Sequence, residues 1–246
     1  MRIKGSVEDI STDKVKEFYE SRASSYNGEN IYNVTMLQDK NPELSEERNR
    51  AEIAKLFPKF KLDENSCVLD LACGVGRLLD AMPENIKLYR GIDFTEGLIK
   101  LANSRNTRAN AKFFTGSVLD ADKILADELG SFNRILMIAF LMYMNDNDVL
   151  SLLKKIPALI TYRGGGLICV KVSIGVNERL TLKDFYSEEL KSDYESIYRT
   201  RDEYMKFFES TLITEGFTVT EENYLYDDNN LNNRKETTQY YFILER

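Results

Sequence analysis

Residues 68–79 read Val68-Leu69-Asp70-Leu71-Ala72-Cys73-Gly74-Val75-Gly76-Arg77-Leu78-Leu79. A short apolar run stops at a turn of small residues, and an apolar run of helical character resumes after it. The pattern is strand, turn, helix. Gly74 and Gly76 let the backbone turn where a side chain would obstruct it and let a ligand approach the main chain. In open α/β sheets ligands bind at the carboxyl ends of strands, which is where this turn lies.

The next stretch strengthens the reading. Gly91-Ile92-Asp93-Phe94 ends a second apolar strand and places a carboxylate 17 positions after Gly76. A carboxylate at that tip can accept both hydroxyls of an adenosine ribose, and Phe94 can stack beside the base. A nicotinamide-binding loop would require G-x-G-x-x-G. Here Gly74-Val75-Gly76 runs into Arg77-Leu78-Leu79 with no third glycine.

Outward from this segment the chain alternates strand and helix. Apolar strands are expected at Cys67–Leu71, Leu88–Ile92, Lys112–Thr115, Arg134–Ile138 and Gly166–Val172. The clearest helix is Asp146–Thr161, whose Val149, Leu152, Leu153, Ile156, Leu159 and Ile160 keep helical spacing. Such alternation implies a parallel sheet covered on both faces. At the end, Phe217–Tyr226 and Thr238–Leu244 read as two strands joined by an Asp/Asn-rich loop, a closing antiparallel hairpin. The expected fold is α/β: a Rossmann-like, seven-stranded, mostly parallel sheet with a C-terminal antiparallel hairpin and helices on both faces. Residues 1–60 are expected to form an N-terminal helical lid. The core then spans 61–246, with an insertion at about 173–201.

The lid is expected to hold helices at Thr12–Ala23 and from Asn41-Pro42 to about Leu56. Asn41 is a good cap, and proline is favoured in the first turn. Thr200-Arg201-Asp202-Glu203 reads as a capping box opening a late helix.

Composition narrows the function. The chain of 246 residues carries a net charge of −7 without a basic stretch, which disfavours a nucleic-acid partner. No apolar run is long enough for a membrane span, and the start has no signal-peptide pattern. Three cysteines without metal spacing suit a reducing, cytoplasmic setting, and no metal site is expected. There is no histidine, so acid/base chemistry would have to use carboxylate, Tyr, Lys, Cys or water.

Asp70-Leu71-Ala72-Cys73-Gly74-Val75-Gly76 resembles the D-x-x-C-G-x-G variant of the class I methyltransferases that use S-adenosylmethionine. Ala72 stands where glycine is frequent in that family. The resemblance covers roughly Ser66 to Val172 and the terminal hairpin, and it implies S-adenosylmethionine as cofactor. It sets Asp70 near the methionine amino group, Gly74 and Gly76 under the cofactor, and Asp93 on the ribose. Ala72, Cys73, Arg77 and Phe94 are implied as further contacts. Thr115-Gly116-Ser117-Val118 resembles the adenine-contacting element, with Ser117 where Asp is common, and Ile138 borders the sulfonium centre.

For the acceptor side, Phe18 to Asn27 resembles the N-terminal segments that fold over the cofactor in small-molecule methyltransferases. Tyr19 and Tyr32 are candidate substrate contacts, Tyr26 and Arg48 cofactor contacts. Core packing for the tyrosines and a solvated helix face for Arg48 are the alternatives. In the insertion, Arg199 and Arg201 fall at a helix N-terminus, where anions are favoured, so they too are candidate substrate contacts. Methyl transfer is an in-line displacement in which positioning can suffice. If a base is used, the candidates are Tyr143, Lys171 and Asp39. The segment Tyr32 to Glu43 is similar to methyltransferases of bacterial capsule and surface-polysaccharide biosynthesis. That likeness implies O-methylation of a sugar or a phosphate-type precursor such as a phosphoramidate. N-methylation of a small amine or a protein, or a silent cofactor-binding regulator, are the other readings. The expected partner is a small molecule, and the protein a monomer or homodimer.

Overall fold

The computed structural model describes residues 1–160, 165–227, 231, 232 and 234–246. The chain opens with a short strand, β1 (Arg2–Lys4), followed by helices α1 (Thr12–Ser24), α2 (Asn33–Met36) and α3 (Pro42–Phe60). The Ser11 hydroxyl accepts from the Lys14 amide and caps α1. α3 begins with Pro42 in its first turn, and Glu52, Leu56 and Phe60 lie on its buried face. It continues past Leu56 through Pro58 because Phe60, fully buried, prolongs that face by one turn.

The core follows: β2 (Cys67–Leu71), β3 (Leu88–Asp93), α4 (Glu96–Arg105), β4 (Ala111–Thr115), α5 (Ala121–Ile124), β5 (Arg134–Ile138), α6 (Asp146–Leu159) and β6 (Leu167–Gly175). Then come β7 (Leu180–Ser187), β8 (Ser192–Tyr198), α7 (Arg201–Glu209), β9 (Thr218–Tyr224) and β10 (Thr237–Glu245). Seven strands form one sheet in the order β4-β3-β2-β5-β6-β10-β9. β4 to β6 are parallel, while β10 pairs antiparallel with both β6 and β9. The expected fold class is therefore the observed one. Thr161 and part of the Asp/Asn-rich hairpin loop lie outside the described residues. Among the described residues no helix is long and apolar enough to cross a membrane.

Successive residues of a strand face opposite sides of a sheet. Leu69, Leu71, Ile135, Met137, Ile168 and Val170 pack with α6 and α7 residues such as Leu152, Ile156 and Phe208 on one side. Val68, Leu136, Ile138 and Cys169 pack on the other with Leu56 and Phe60 of α3 and with Leu78, Leu79 and Met82.

Two expectations change. The turn at 72–76 does not lead into an α-helix: only a three-residue 3-10 turn, Leu79–Ala81, follows it. Met82-Pro83 ends the run, since proline disfavours a helical conformation at the residue before it. The other change lies at the N-terminus, in its contact with the insertion. β7 and β8 form a hairpin, and β1 joins it through the pairs Arg2↔Leu182, Ile3↔Thr181 and Lys4↔Leu180. The first 60 residues are thus not wholly helical, because their first strand completes this three-stranded cap sheet.

One ion cluster anchors the cap to the core. Arg199, fully buried at the end of β8, donates Nε and Nη2 to Asp146 Oδ1 at 2.8 and 2.6 Å. It also donates to the carbonyls of Leu141 and Met144 at 2.9 and 2.7 Å. Arg179, just before β7, pairs with the same Asp146 and with Glu203 of α7. Arg199→Met takes one donor from each of those two carbonyls and removes one partner of Asp146. It should lower unfolding stability by about 3 kcal/mol in urea titrations. A loss under about 1 kcal/mol would show that Arg179 and solvent can replace it.

Candidate active site

The parallel strands reverse their order between β2 and β5, and a crevice at such a switch point is where this architecture binds ligands. A cavity of about 790 Å³ lies there. Its floor comes from the carboxyl ends of the strands: Ala72, Cys73 and Gly74 after β2, Asp93, Phe94 and Thr95 at β3, Ser117 and Val118 after β4, and Ile138 to Phe140 at β5. Its roof comes from Tyr19 of α1, Thr35 to Gln38 around α2, and Leu180, Leu182, Tyr194 and Tyr198 of the cap sheet.

The β2 turn is built as its sequence requires. Ala72 and Gly74 have φ of 56°, and Gly76 has 73°. A side chain at Gly74 would meet Thr35 Cγ2 at 3.0 Å, and one at Gly76 would stand 2.7 Å from Phe113. Gly74 therefore lets the lid come down onto the turn, while Gly76 packs beneath it and is not among the described residues that line the cavity. Ala72 carries a Cβ in a conformation that favours glycine, which marks local strain at the cavity wall.

Asp93 ties the two strand tips together. Its Oδ2 accepts from the Gly74 amide at 3.0 Å and its Oδ1 from the Thr95 amide at 2.9 Å. Each oxygen keeps a further lone pair. Burial pushes its carboxyl above the usual range, and the two amides oppose that. Asp70 is buried one strand inward and accepts from the Tyr89 hydroxyl at 2.6 Å. Burial raises it to about 7. Ser117 caps the 3-10 turn Val118–Asp120 by accepting from the Leu119 amide.

A second group of charges lines the same cavity. Glu52 of α3 is fully buried and receives Arg77 on Oε1 and the Lys171 ammonium on Oε2, the latter at 3.0 Å. Arg77 also donates to Asn49 at 2.9 Å. Burial disfavours the Glu52 charge, yet the two cations hold its carboxyl down to about 2. Burial lowers Lys171, and Glu52 offsets that only in part. Arg48 lines the cavity from α3 while donating to the Leu231 carbonyl at 2.8 and 2.6 Å.

The remaining sequence-derived candidates separate cleanly. Tyr19 and Tyr143 line the cavity, their rings 5.5 Å apart and nearly perpendicular. Tyr143 shares a hydroxyl contact of 2.8 Å with Tyr194, and burial raises its phenol well above the ordinary value. That phenol is no base at neutral pH. Asp39 is not one either, because Arg22 clamps both its oxygens at 2.8 Å and Asn33 adds a third bond at 2.9 Å. Asp39 fastens α1 to the segment after α2. Tyr26 packs among lid residues and Tyr32 precedes α2; neither is among the described residues lining the cavity. Arg199 and Arg201 do not reach it: the first is the buried anchor described above, and the second pairs with Glu222 and Asp202 at the surface. Two expected anion contacts are thus structural. Sequence reasoning missed Glu52, Gln239 and the tyrosine partners in β8, for which only the aromatic density of the insertion gave a signal.

Residues 68–164 match a family model described as a methyltransferase domain. Phosphoethanolamine N-methyltransferase 1 of Zea mays is 28% identical over 141 residues, 57% of this chain and 26% of that protein. The Arabidopsis thaliana protein of the same name is 29% identical over 130 residues, 52% and 25% respectively. This chain thus spans about a quarter of the length of the curated relatives it matches. Among solved structures, Haemonchus contortus phosphoethanolamine N-methyltransferase 1, in complex with phosphoethanolamine and S-adenosylhomocysteine, superposes with a TM-score of 0.71. It is 16% identical, over 96% of this chain and 50% of that one. Geranyl diphosphate C-methyltransferase from Streptomyces coelicolor superposes with a TM-score of 0.62 at 9% identity, over 96% and 98%. Residues 68–164 thus match a methyltransferase domain, on a fold shared with solved structures that hold S-adenosylhomocysteine, the demethylated form of S-adenosylmethionine.

The residues fit that cofactor. The Asp93 tip carries spare acceptors for a ribose, Gly74 leaves the turn bare, and the Asp70 carboxyl can face an ammonium. Asp93→Ala should weaken S-adenosylhomocysteine by roughly 1.5–3 kcal/mol and Asp93→Asn by less, since Asn keeps one acceptor. Unchanged affinity in a folded Ala variant would refute the ribose role.

Asp70 gives a pH prediction. Its folded value near 7 lies above the ordinary 3.8, so the folded chain holds a proton that the unfolded chain releases. Its contribution to stability therefore falls as pH rises from about 4 to about 7. An ammonium bound beside it favours the carboxylate, so binding expels the proton and affinity should climb as pH rises through 7. Calorimetry of S-adenosylhomocysteine across that range checks this, and the rise should vanish in Asp70→Asn.

Proposed function

We propose that the protein transfers a methyl group from S-adenosylmethionine to an oxygen or nitrogen of a small, phosphate-type molecule. The observation that carries the reading is the roof. α1, the α2 segment and the cap sheet come from this same chain and cover the carboxyl edge of the sheet, leaving a chamber of about 790 Å³. A chamber of that size suits a cofactor with a small acceptor rather than a polymer. The curated relatives are named for phosphoethanolamine N-methylation, which supports a phosphate-bearing acceptor. Nothing in those names points to a polysaccharide acceptor.

When bound, the cofactor supplies an activated methyl group and its own leaving group. The chain supplies position and a dry cavity. The Tyr19, Tyr143, Tyr194 and Tyr198 hydroxyls lie on the acceptor side, with contacts of 2.8 and 3.4 Å joining the last three. With its phenol raised by burial, Tyr143 acts as a hydrogen-bonding guide for the nucleophile. A phosphate-type oxygen is already ionised at pH 7 and needs no base, whereas an amine must first shed a proton.

Turnover of phosphoethanolamine and related phosphomonoesters, followed by S-adenosylhomocysteine release and product mass, tests the reading. A rate flat between about pH 7 and 9 identifies an oxyanion nucleophile, and a rising rate identifies an amine. Tyr143→Phe should cut kcat by about tenfold or more while S-adenosylhomocysteine affinity holds. Faster methylation of a protein or nucleic acid than of any small acceptor would overturn the proposal.

A further inference from the structure

The roof of the chamber is fastened unevenly. Helix α1 is tied down along its whole length. The Ile10 amide and carbonyl pair with the Asn145 side chain of the core at 2.9 and 3.1 Å, and the Ser11 amide donates to the buried Glu195 of β8 at 2.6 Å. Further along, Glu20 accepts from the Glu96 and Gly97 amides at the start of α4, at 2.7 and 3.0 Å. A side chain at Gly97 would stand 2.7 Å from Ala23, so this glycine lets the two helices close on one another. Val15, Phe18, Tyr19 and Ala23 of α1 are buried as well. The cap sheet is held by the Arg199 anchor. Moving either element would expose apolar surface and unpair several buried groups at once.

The segment from Gly28 to Lys40 is held in another way. Its helix α2 is four residues long, with Val34 as that helix's one buried side chain. A single helical turn has little stability of its own. Arg22 grips the segment on both sides of Thr35. Its Nε donates to the Val34 carbonyl at 2.8 Å and its Nη2 to the Asn33 carbonyl at 2.7 Å, while Nη1 and Nη2 reach the two Asp39 oxygens, each at 2.8 Å. Gly28 has φ of 93°, and no described atom lies within 4 Å of where its side chain would be, so nothing resists a change of backbone angle there. Leu37 has φ of 57°, a left-handed conformation that a residue with a Cβ holds only under strain. Between these two points Thr35 comes down on Gly74, and Thr35, Met36, Leu37 and Gln38 line the chamber.

We propose that residues 28–40 are the gate through which the cofactor passes, latched shut by Arg22 on Asp39, while α1 and the cap sheet stay in place. The inference rests on S-adenosylmethionine being the cofactor. Arg22 and Asp39 are positioning residues: neither is among the described residues lining the chamber, and they act by setting how often the turn at Gly74 is uncovered. Opening breaks one bidentate, partly buried ion pair and two hydrogen bonds to carbonyls, a small unit of local unfolding that leaves the core intact. The strain at Leu37 favours the same movement. A latch has its own kinetic signature. Losing it enlarges the open population with and without ligand, so association and dissociation quicken together and affinity changes little. A residue that merely shapes the site would raise dissociation alone and weaken affinity in proportion.

The probe is S-adenosylhomocysteine, its association and dissociation followed by surface plasmon resonance. In Asp39→Asn and in Arg22→Gln both rates should rise by about tenfold, the scale of one lost charge-assisted bond, with Kd within about threefold of wild type. Glu195→Ala loosens α1 from the cap sheet and should leave both rates within about twofold. Hydrogen exchange supplies a measurement that needs no ligand. The amides of Val34 to Leu37 should exchange faster than those of Val15 to Ala23, and in Asp39→Asn they alone should quicken. Unchanged rates in both latch variants overturn the gate, as does a rise confined to dissociation. Equal acceleration in Glu195→Ala, or exchange that quickens across α1 together with α2, shows a roof that moves as one body and overturns it too. Failure of wild type to bind S-adenosylhomocysteine would strike the cofactor reading instead, and the exchange pattern would then decide the latch by itself.

Discussion

Two guanidinium groups from the cap segment converge on one carboxylate, Asp146, at the start of α6. Arg199 is wholly buried, and such a charge is tolerated only when both its partners and its geometry are complete. Its other donors go to the carbonyls of Leu141 and Met144, which bracket Tyr143. The same residue therefore fixes the end of β8 and the loop after β5. Through that joint Tyr143 of the core meets Tyr194 of the cap, and the roof acquires its height above the sheet. Without it the strand tips would form an open ledge.

Beneath the roof the chain departs from regular geometry where ligands must enter. Ala72 and Ala139 both adopt positive φ, at 56° and 61°, just past the ends of the neighbouring strands β2 and β5. Each turns the backbone sharply, and the Asp93 bridge to Gly74 holds the turn after β2 in place. In related architectures a long helix after the first turn brings positive dipole to an anionic group. Here only a short 3-10 turn follows. The field at this end of the chamber comes from side chains instead, from Arg77 in that turn segment and from Lys171 two strands away.

The large ion network has a cost in polar burial that apolar residues would avoid. Glu52 lies on the buried face of α3, and Lys171 shares a face of β6 with Cys169, which packs in one cluster with Leu56 and Ile138. Placing charge there is compatible with folding because each member has a partner. It leaves the chamber polar at one end and aromatic at the other.

The sequence by itself determined the sheet, the glycine turn after β2 and the carboxylate at the β3 tip, because these depend on local rules. Strand periodicity, glycine at obligatory turns and an acid at a strand tip can be read within a few residues of one another. It also marked Tyr19, Tyr143 and Lys171 as candidates. Only the tertiary structure decided what those candidates do. The pairing of Glu52 with Lys171 joins residues more than a hundred positions apart, and the recruitment of β1 to the cap joins the two ends of a longer loop still. Arg199 illustrates the reason. A guanidinium beside a helix start suits an external anion or an internal carboxylate equally well, and burial against Asp146 settles which one it meets.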